Sequence, residues 1–341
     1  DQWDWEALAL ERDPGRYFPA SPLYQPFSAL FDAATDEALR LIKAMTNHAV
    51  EAWRQLHRLQ PGRGTPVPIA IAFPWGEQTF WGGVREYLWS RGLWAPKPLA
   101  SAYLALDRWA LDQMTRGTDT DALIERIVAG NDSIAALGTA LNVAQTRPAV
   151  SAVSEALISH QRLWRADIER CAQEFSIKTS SQIGFHREDQ RDSALAVDAL
   201  NTLDIRAEDL RSIATRHVLQ NDAAAAMRAR KTIQGFADAP DFEFEELRDQ
   251  PGAREYANEQ ARTFAAWGSL EHYRLVDLPD QPDRKAIVMV NPIIDEPLVR
   301  TRLEEGQQHL RTFGLFHWAQ KSFESGALHE SMTADQAMDT A

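Results

Sequence analysis

The feature that most constrains the fold of this chain is a succession of short helix-like blocks between residues 118 and 236. Apolar residues recur three and four positions apart within each block, and turn-forming residues separate each block from the next. The blocks read TDALIERIVAG, SIAALGTALNVAQ, AVSAVSEALISHQRLW, RADIERCAQEF, EDQRDSALAVDALNTL, RAEDLRSIATRHVLQN and DAAAAMRARKTIQGF. No strand pattern interrupts them, so we expect a mainly α fold. Two architectures are compatible with this pattern: an irregular helical bundle, and an irregular α-solenoid of the HEAT or armadillo kind without a fixed repeat period. We predict the solenoid.

Two longer helices are predicted nearer the start of the chain. Residues 35–59 carry an apolar stripe, and Thr35 is placed to cap the helix. Residues 97–117 carry a second stripe that ends at Gly117. Between them, residues 65–97 are expected to form a tryptophan- and glycine-rich non-helical insert. It starts with a β-branched run, residues 65–73, that suits a strand or an extended connector.

The organisation of the chain follows from these patterns. We divide it into residues 1–117, a helical segment that carries the insert, and residues 118–341, a helical succession continuous with it. The acidic, proline-punctuated residues 238–256 suggest an exposed connection, and the apolar run 286–290 is a short strand or a buried extended piece. Because no initiator methionine is present, we expect the chain to be a piece of a longer polypeptide.

Composition limits the functional classes. The chain has 341 residues, 44% hydrophobic and 25% charged, as in globular proteins. A net charge of −13 disfavours nucleic acid as a partner, because nucleic-acid binding needs clustered positive charge. The short basic patch at residues 228–231 is more typical of a solvated helix face. The single cysteine, Cys171, excludes an internal disulfide and fits a cytoplasmic protein. No apolar run suffices to cross a bilayer, so no membrane partner is expected.

Sequence motifs of catalysis are absent or weak. The chain has no P-loop, no dinucleotide-binding glycine pattern, no GxSxG elbow and no HExxH pair. Glu51 follows His48 by three residues on one helix face, but a metal would need further ligands from elsewhere. The charged cluster at residues 186–192 has groups for acid–base chemistry, yet such charges are ordinary at a helix start. We therefore predict no catalytic residue, no metal ligand and no cofactor.

Several segments resemble successive blocks of very large bacterial ATP-binding proteins. They are YQPFSALFDAATDEALRLIKAMTNHAVEAW, FWGGVREYLWSRG, PLASAYLALDRW and GNDSIAALGTALNVA, within residues 22–144, and the likeness is fainter over residues 160–326. Proteins of this family join a P-loop NTPase region to a long helical array and are often linked to defence against phage. The resemblance implies that this chain is part of the helical array. Any ATPase activity would then lie in a portion outside it.

Residues 73–91, FPWGEQTFWGGVREYLWSR, are the most conspicuous candidate for a binding surface. Four of the 11 tryptophans lie between Trp75 and Trp94, among glycines and charged residues. Such rings either pack an irregular segment onto helices or, with arginines, form a recognition surface, and the two roles are compatible. We favour packing as the main role. The candidate binding residues are Trp75, Glu77, Trp81, Arg85, Trp89 and Arg91.

The leading hypothesis is a non-catalytic helical module that scaffolds or senses. Its partner would be another protein or another domain of the same polypeptide. The alternative is a helical hydrolase or nucleic-acid-processing enzyme with dispersed catalytic residues. Its only candidates are His48 with Glu51, and His186 with Glu188 and Asp189.

Overall fold

The computed structural model describes residues 17–60, 62–180, 190–278 and 281–290, together with Ala319 and Ser322. Within these ranges the chain is mainly helical, which confirms the predicted fold class. The α-helices are α1 Phe27–Ala33, α2 Thr35–Leu59, α3 Val84–Tyr87, α4 Lys97–Thr115, α5 Thr120–Val128, α6 Ile134–Thr146, α7 Ala152–Leu157, α8 Gln161–Ser180, α9 Arg191–Asn201, α10 Leu210–Leu219, α11 Ala223–Gln234 and α12 Pro251–Ala265. Two antiparallel hairpins pair β1 Ile69–Phe73 with β2 Gly76–Phe80, and β3 Tyr273–Leu278 with β4 Gln281–Met289.

The chain divides into two compact units, Asp1–Glu271 and His272–Ala341. The first unit contains α1–α12 and the hairpin β1–β2, and the second contains the hairpin β3–β4. Residue 117, at which the sequence analysis separates two continuous helical segments, lies within the first unit.

The two long helices form where their apolar stripes predict. Helix α4 stops as expected, because Gly117 adopts a φ of 85° and its amide N–H donates to the Met114 carbonyl at 3.1 Å. The start of α2 differs from the prediction. Thr35 is the first helical residue rather than the cap, and its hydroxyl donates back to the Phe31 carbonyl at 3.0 Å.

Helix α6 lies at the centre of the first unit. Every residue from 134 to 145 is buried, including the polar Asn142 and Gln145. The helix contacts α3, α4, α5, α7 and α10, which come from both earlier and later parts of the chain. In a solenoid each repeat contacts only its neighbours. The solenoid arrangement is therefore not confirmed, and a helix enclosed on all sides is typical of a globular core.

The predicted non-helical insert is in part helical. After the hairpin β1–β2, the chain forms α3 and then a 3-10 helix, Leu88–Arg91. Neighbouring residues define the start and the end of these turns. The Gly83 N–H donates to the Glu86 carboxylate at 2.8 Å at the start of α3, and Gly92 ends the 3-10 helix with a φ of 71°. The insert therefore has defined structure on both sides of Trp81.

The other segments that the sequence predicts as extended also contain strands. The run 65–73 contains β1, and residues 286–289 belong to the strand β4 rather than to a buried connector. Ile287 is 53% exposed and Leu275, its cross-strand partner, is 68% exposed. Among the described helices, none combines the length and apolar character that crossing a bilayer requires.

Candidate functional site at the tryptophan-rich segment

The tip of the hairpin β1–β2 presents the first two candidate residues. Trp75 is half-buried and stacks on Phe73 with ring centroids 4.5 Å apart, while its indole N–H donates to Gln78 at 2.6 Å. Glu77 lies on β2 with its side chain exposed. This tip therefore offers an aromatic ring in a fixed orientation beside an exposed carboxylate.

Trp81 joins the end of the hairpin to the body of the first unit. Its backbone N–H donates to the Asp132 carbonyl at 2.7 Å, and its carbonyl accepts from the Ile134 N–H at 3.0 Å. The guanidinium of Arg54, on α2, lies 3.9 Å from the centroid of its ring. Trp81 thus combines a packing role with a cation–π contact at a half-buried position.

Arg85 and Trp94 form an exposed pair. The Arg85 guanidinium lies 4.9 Å from the centroid of the Trp94 ring, and Trp94 is 52% exposed. Trp94 adopts a φ of 59°, a left-handed conformation that is uncommon for a bulky residue. The surface of this segment is thus an aromatic ring covered by a cation.

The last two candidate residues, Trp89 and Arg91, lie in the interior instead. Trp89 is 1% exposed and Arg91 is 2% exposed. Arg91 donates to the Glu174 carboxylate at 3.0 Å, to the Asp107 carboxylate at 3.1 Å and to the Asn201 side-chain oxygen at 2.9 Å. These contacts hold the insert to α8, α4 and α9, so Arg91 acts within the core and not on a surface.

Asp107 is the second centre of this buried network. Its carboxylate accepts from Arg91, from the Asn142 amide at 3.0 Å and from the Arg206 guanidinium at 2.5 Å. Arg206 also donates to the Leu200 carbonyl at 3.0 Å. One carboxylate therefore connects the insert, the central helix and the turn that follows α9.

Asp167, on α8, is the third centre. It accepts from the Tyr87 hydroxyl at 2.6 Å, from Arg170 at 2.7 Å, from the Gln145 amide at 3.3 Å and from the backbone N–H of Leu210 at 2.8 Å. Each of the two carboxylate oxygens thus accepts two hydrogen bonds from the protein. The contacts join α3 to α6, α8 and α10.

Arg170 links these centres into one network. It donates to the Glu174 carboxylate at 3.3 Å, to the Arg206 carbonyl at 3.2 Å and to the Glu208 carbonyl. The arginines of the network, residues 91, 170 and 206, face an equal number of carboxylates, residues 107, 167 and 174. The buried charge is balanced, as the stability of enclosed ions requires.

Three groups of this network have shifted pKa values that keep them protonated near neutral pH. Burial lowers the pKa of Arg206 to about 10, with a further contribution from the positive charge of Arg91. Burial acts to lower the pKa of Arg170 as well, but the Asp167 carboxylate outweighs it and the pKa is raised. Burial raises the pKa of the Tyr87 phenol well above its ordinary value, and the charge of Asp167 adds to this. These groups are suited to holding helices together rather than to proton transfer.

A carboxylate pair lies at the base of the hairpin. Burial raises the pKa of Glu86, and the nearby Glu243 carboxylate raises it further. Glu243 pairs with Arg165 at 2.8 Å, and a Cβ added at Gly83 would fall on its carboxylate. Glycine at position 83 is therefore what allows Glu243 to reach the insert.

Arg162 holds the acidic connection to the insert. It donates to both oxygens of Asp241 at 2.7 Å and to the carbonyls of Phe242 and Val67. The Val67 N–H also donates to the Glu243 carbonyl at 3.0 Å. The residues predicted as a simple exposed connection are therefore bound, in this part, to α8 and to the strand leading into β1.

A serine–histidine pair is present but enclosed. The Ser154 hydroxyl lies 2.8 Å from His217 Nε2, and the two residues are 4% and 1% exposed. Burial lowers the pKa of His217, which favours the neutral ring at pH 7, and in the part of the chain that the structure describes Nδ1 has no hydrogen-bond partner. A catalytic pair needs an orienting third group and access for substrate. The Ser154 hydroxyl instead takes part in the capping box of α7, where it accepts from the Ser151 N–H at 3.0 Å while the Ser154 N–H donates to the Ser151 hydroxyl at 3.1 Å.

The other catalytic candidates are not assembled in the described residues. The Glu51 carboxylate pairs with Arg54 at 2.8 Å and Arg58 at 3.6 Å, while His48 is exposed. His186, Glu188 and Asp189 lie outside the described residues. Where the structure describes the chain, no group of three or more His, Cys, Asp and Glu side chains could hold a metal ion.

The basic patch at residues 228–231 is divided between surface and interior. Arg228 is exposed and lies 3.5 Å from Glu155, whereas Arg230 turns inward and donates to the Val218 carbonyl at 2.7 Å. The cationic side chains of residues 228–231 therefore do not form one continuous basic surface.

No family model matches this chain, and no curated protein sequence is significantly similar to it. The resemblance to large bacterial ATP-binding proteins therefore rests on the quoted sequence blocks alone.

Sequence reasoning missed most of the buried network. Its members outside the insert include Asp107, Asn142, Asp167, Glu174 and Arg206. One signal was available for Asp107, which falls between Tyr103 and Ala110 on the apolar stripe of α4. A charge on a buried helix face needs a partner, but the sequence does not say which residue supplies it.

Proposed function

We propose that this chain is a non-catalytic helical scaffold or sensor module of a larger bacterial NTPase, of the type linked to antiphage defence, and that it acts in the cytoplasm. Its partner is another domain of the same polypeptide or a second protein. The observation that carries the proposal is the enclosed network around Arg91, Asp107 and Asp167. The sequence blocks that resemble the helical arrays of such NTPases supply its biological context.

The network favours a structural module because its charged groups already bind one another inside the protein. Arg91 and Arg206 share the Asp107 carboxylate, while Tyr87 and Arg170 share the Asp167 carboxylate. An enzyme would use such charged groups to contact its substrate. In this chain they connect helices that are distant in sequence. Breaking such a network leaves buried charges unpaired, so it resists local opening. Rigidity of this kind suits a module that transmits contact between a partner and the rest of a chain.

The proposed contact surface is the exposed part of the insert. It comprises Trp75 and Glu77 at the hairpin tip and the Arg85–Trp94 pair. Aromatic and arginine side chains are the residues that most often dominate binding energy at interfaces. The buried Arg91 anchors the same insert to the core through Glu174, Asp107 and Asn201.

The first experiment tests the absence of catalysis. We expect the purified chain to turn over no nucleotide, phosphoester or peptide substrate under conditions in which it is folded. Turnover that is lost in His48→Ala or Glu188→Ala would contradict the scaffold proposal and favour the helical hydrolase. Circular dichroism of both variants must match the parent chain, so that loss of turnover reports chemistry.

The second experiment tests the contact surface in the complete polypeptide. We expect Trp75→Ala and Arg85→Glu to alter nucleotide turnover by the whole protein, or to weaken its defence against phage, while circular dichroism shows that both variants remain folded. Arg248→Glu is a matched control, because Arg248 is an exposed arginine outside the insert that pairs with Glu245 at 2.8 Å. Equal effects of Arg248→Glu and Arg85→Glu, or no effect of any of them, would refute this surface.

A further inference from the structure

A cleft between α1 and α4 has features of a small-molecule site. Its volume is about 320 Å³, near the lower end of the range of about 300–1,000 Å³ for ligand pockets. It does not involve the tryptophan-rich segment. Pro22, Ser28 and Thr35 line it on one side, and the face of α4 from Ala105 to Arg116 lines the other.

The floor of the cleft is a fixed aromatic pair. Phe31 of α1 and Trp109 of α4 stack with ring centroids 5.1 Å apart and an interplanar angle of 16°, and both are buried. The Arg126 guanidinium lies 5.5 Å from the centroid of the Trp109 ring and is itself paired with Asp36 at 2.7 Å. Because the two rings are held by several elements, the floor is formed before any ligand binds.

Charges of both signs line the walls. Arg108 and Asp112 on α4 and Arg116 at its C-cap follow one another at four-residue steps, and Asp32 lies on α1. All four side chains are exposed. In the described part of the chain, none of the four has an ion-pair partner within 4.0 Å, although the spacing on α4 would allow pairing.

This lining matches a ligand that carries both charges. A simple anion would meet two guanidiniums but also two carboxylates, and a simple cation would meet the same conflict. A zwitterion satisfies both sets, with its carboxylate on an arginine and its ammonium on an aspartate. Any pairing among the exposed side chains themselves is weak, so a ligand displaces it easily.

We propose that this cleft binds a zwitterionic small molecule of the amino-acid or short-peptide class. Arg108 and Arg116 hold the carboxylate, Asp32 and Asp112 hold the ammonium group, and the Phe31–Trp109 floor contacts the apolar part of the ligand. The site is independent of the scaffold function proposed above, since its test needs only the chain itself.

The experiment measures binding of three related peptides to the whole chain by isothermal titration calorimetry. Alanyl-alanine carries both charges, its N-acetyl form carries only the carboxylate, and its C-terminal amide carries only the ammonium. We expect saturable binding of alanyl-alanine and at least tenfold weaker binding of the two blocked forms. Equal binding of either blocked form, or no binding of alanyl-alanine, overturns the proposal.

Variants locate the site. Arg108→Gln and Asp32→Asn should each weaken binding of alanyl-alanine at least tenfold without changing the melting temperature, because both side chains are exposed. Arg248→Gln and Asp249→Asn are matched controls at exposed positions elsewhere in the first unit, and they should bind as the parent chain does. Unchanged affinity in both cleft variants would place the binding elsewhere and refute the assignment.

Discussion

The guanidinium of Arg91 lies 3.1 Å from the carboxylate of Asp107, and both side chains are fully enclosed. Arg91 belongs to the tryptophan-rich insert and Asp107 to α4, so this contact anchors the most conspicuous segment of the sequence to the core. The same carboxylate also accepts from Arg206. The insert is therefore part of the network that holds the first unit together.

Removing the Arg91 charge should destabilise the protein strongly. We expect Arg91→Met to lower the free energy of unfolding by about 3–5 kcal/mol, because Glu174 and Asp107 would each lose a buried partner. Urea unfolding followed by circular dichroism measures the change. The matched control is Arg85→Ala in the same segment, which loses an exposed cation–π contact and should cost about 1 kcal/mol or less. The reverse order of effects would mean that Arg91 is not part of the core.

The contact between α6 and the 3-10 helix Leu88–Arg91 leaves no room for a side chain at Gly138. A Cβ there would lie 2.8 Å from Ser90 Cβ and 3.3 Å from Tyr87 Cζ. Gly138→Ala should therefore destabilise the protein by about 1–3 kcal/mol through overpacking, despite the higher helix propensity of alanine.

A double-mutant cycle tests this interpretation. Ser90→Gly removes the clashing Cβ, so the combined variant should lose less stability than the sum of the two single changes. Gly252→Ala on α12 is the control, since a Cβ at that position would meet nothing within 4 Å. Strict additivity of Gly138→Ala and Ser90→Gly would show that the two positions do not interact.

Arg162 should control local opening between the acidic connection and the insert. Arg162→Gln removes the paired contact with Asp241, so we expect a loss of about 2 kcal/mol or more and faster hydrogen exchange at the amides of Val67 and Glu245. Arg165→Gln breaks the partly exposed pair with Glu243 and should cost about 1 kcal/mol or less. Unchanged exchange at Val67 in Arg162→Gln would argue against the clamp.

Acid should destabilise the protein through its partly buried histidines. Burial lowers the pKa of His57, His160 and His217 below the ordinary value of about 6.5. The unfolded chain therefore binds more protons than the folded chain once the pH falls below about 6.5, and stability decreases from there as the pH falls through the folded pKa values.

His217→Gln isolates one contribution to this pH dependence. The variant should be less stable at pH 7, because the contact with Ser154 changes, but its stability should fall less steeply between pH 7 and pH 5. Chemical unfolding at a series of pH values gives both numbers. A slope equal to that of the parent chain would mean that His217 is not the titrating group.

The helices were the most predictable part of this fold. The stripes of α2 and α4 and the glycine that ends α4 are local patterns, and each depends on residues within a few positions of one another. The insert was less predictable: its hairpin start was foreseen only as one of two options, and its short helical turns were not foreseen. Those turns depend on Gly83, Glu86 and Gly92 acting together.

Prediction of the candidate site from the sequence has the same limit. The sequence marks Trp75, Glu77, Trp81, Arg85, Trp89 and Arg91 as one group, but the structure separates them by depth. Alternation and helical turns place Glu77 and Arg85 outside, while Trp89 and Arg91 point into the core. Composition alone cannot distinguish these positions, because an arginine suits both an interface and a buried ion pair.

The sequence by itself determined that this chain is helical, where its long helices begin and end, and that a tryptophan-rich segment interrupts them. Only the tertiary structure decided that Arg91 meets Asp107, Glu174 and Asn201, that α6 is enclosed on all sides, and that Glu243 lies over Gly83. The reason is physical. Helix patterns arise from neighbours along the chain, whereas a buried charge is stable only beside partners that folding brings from distant positions.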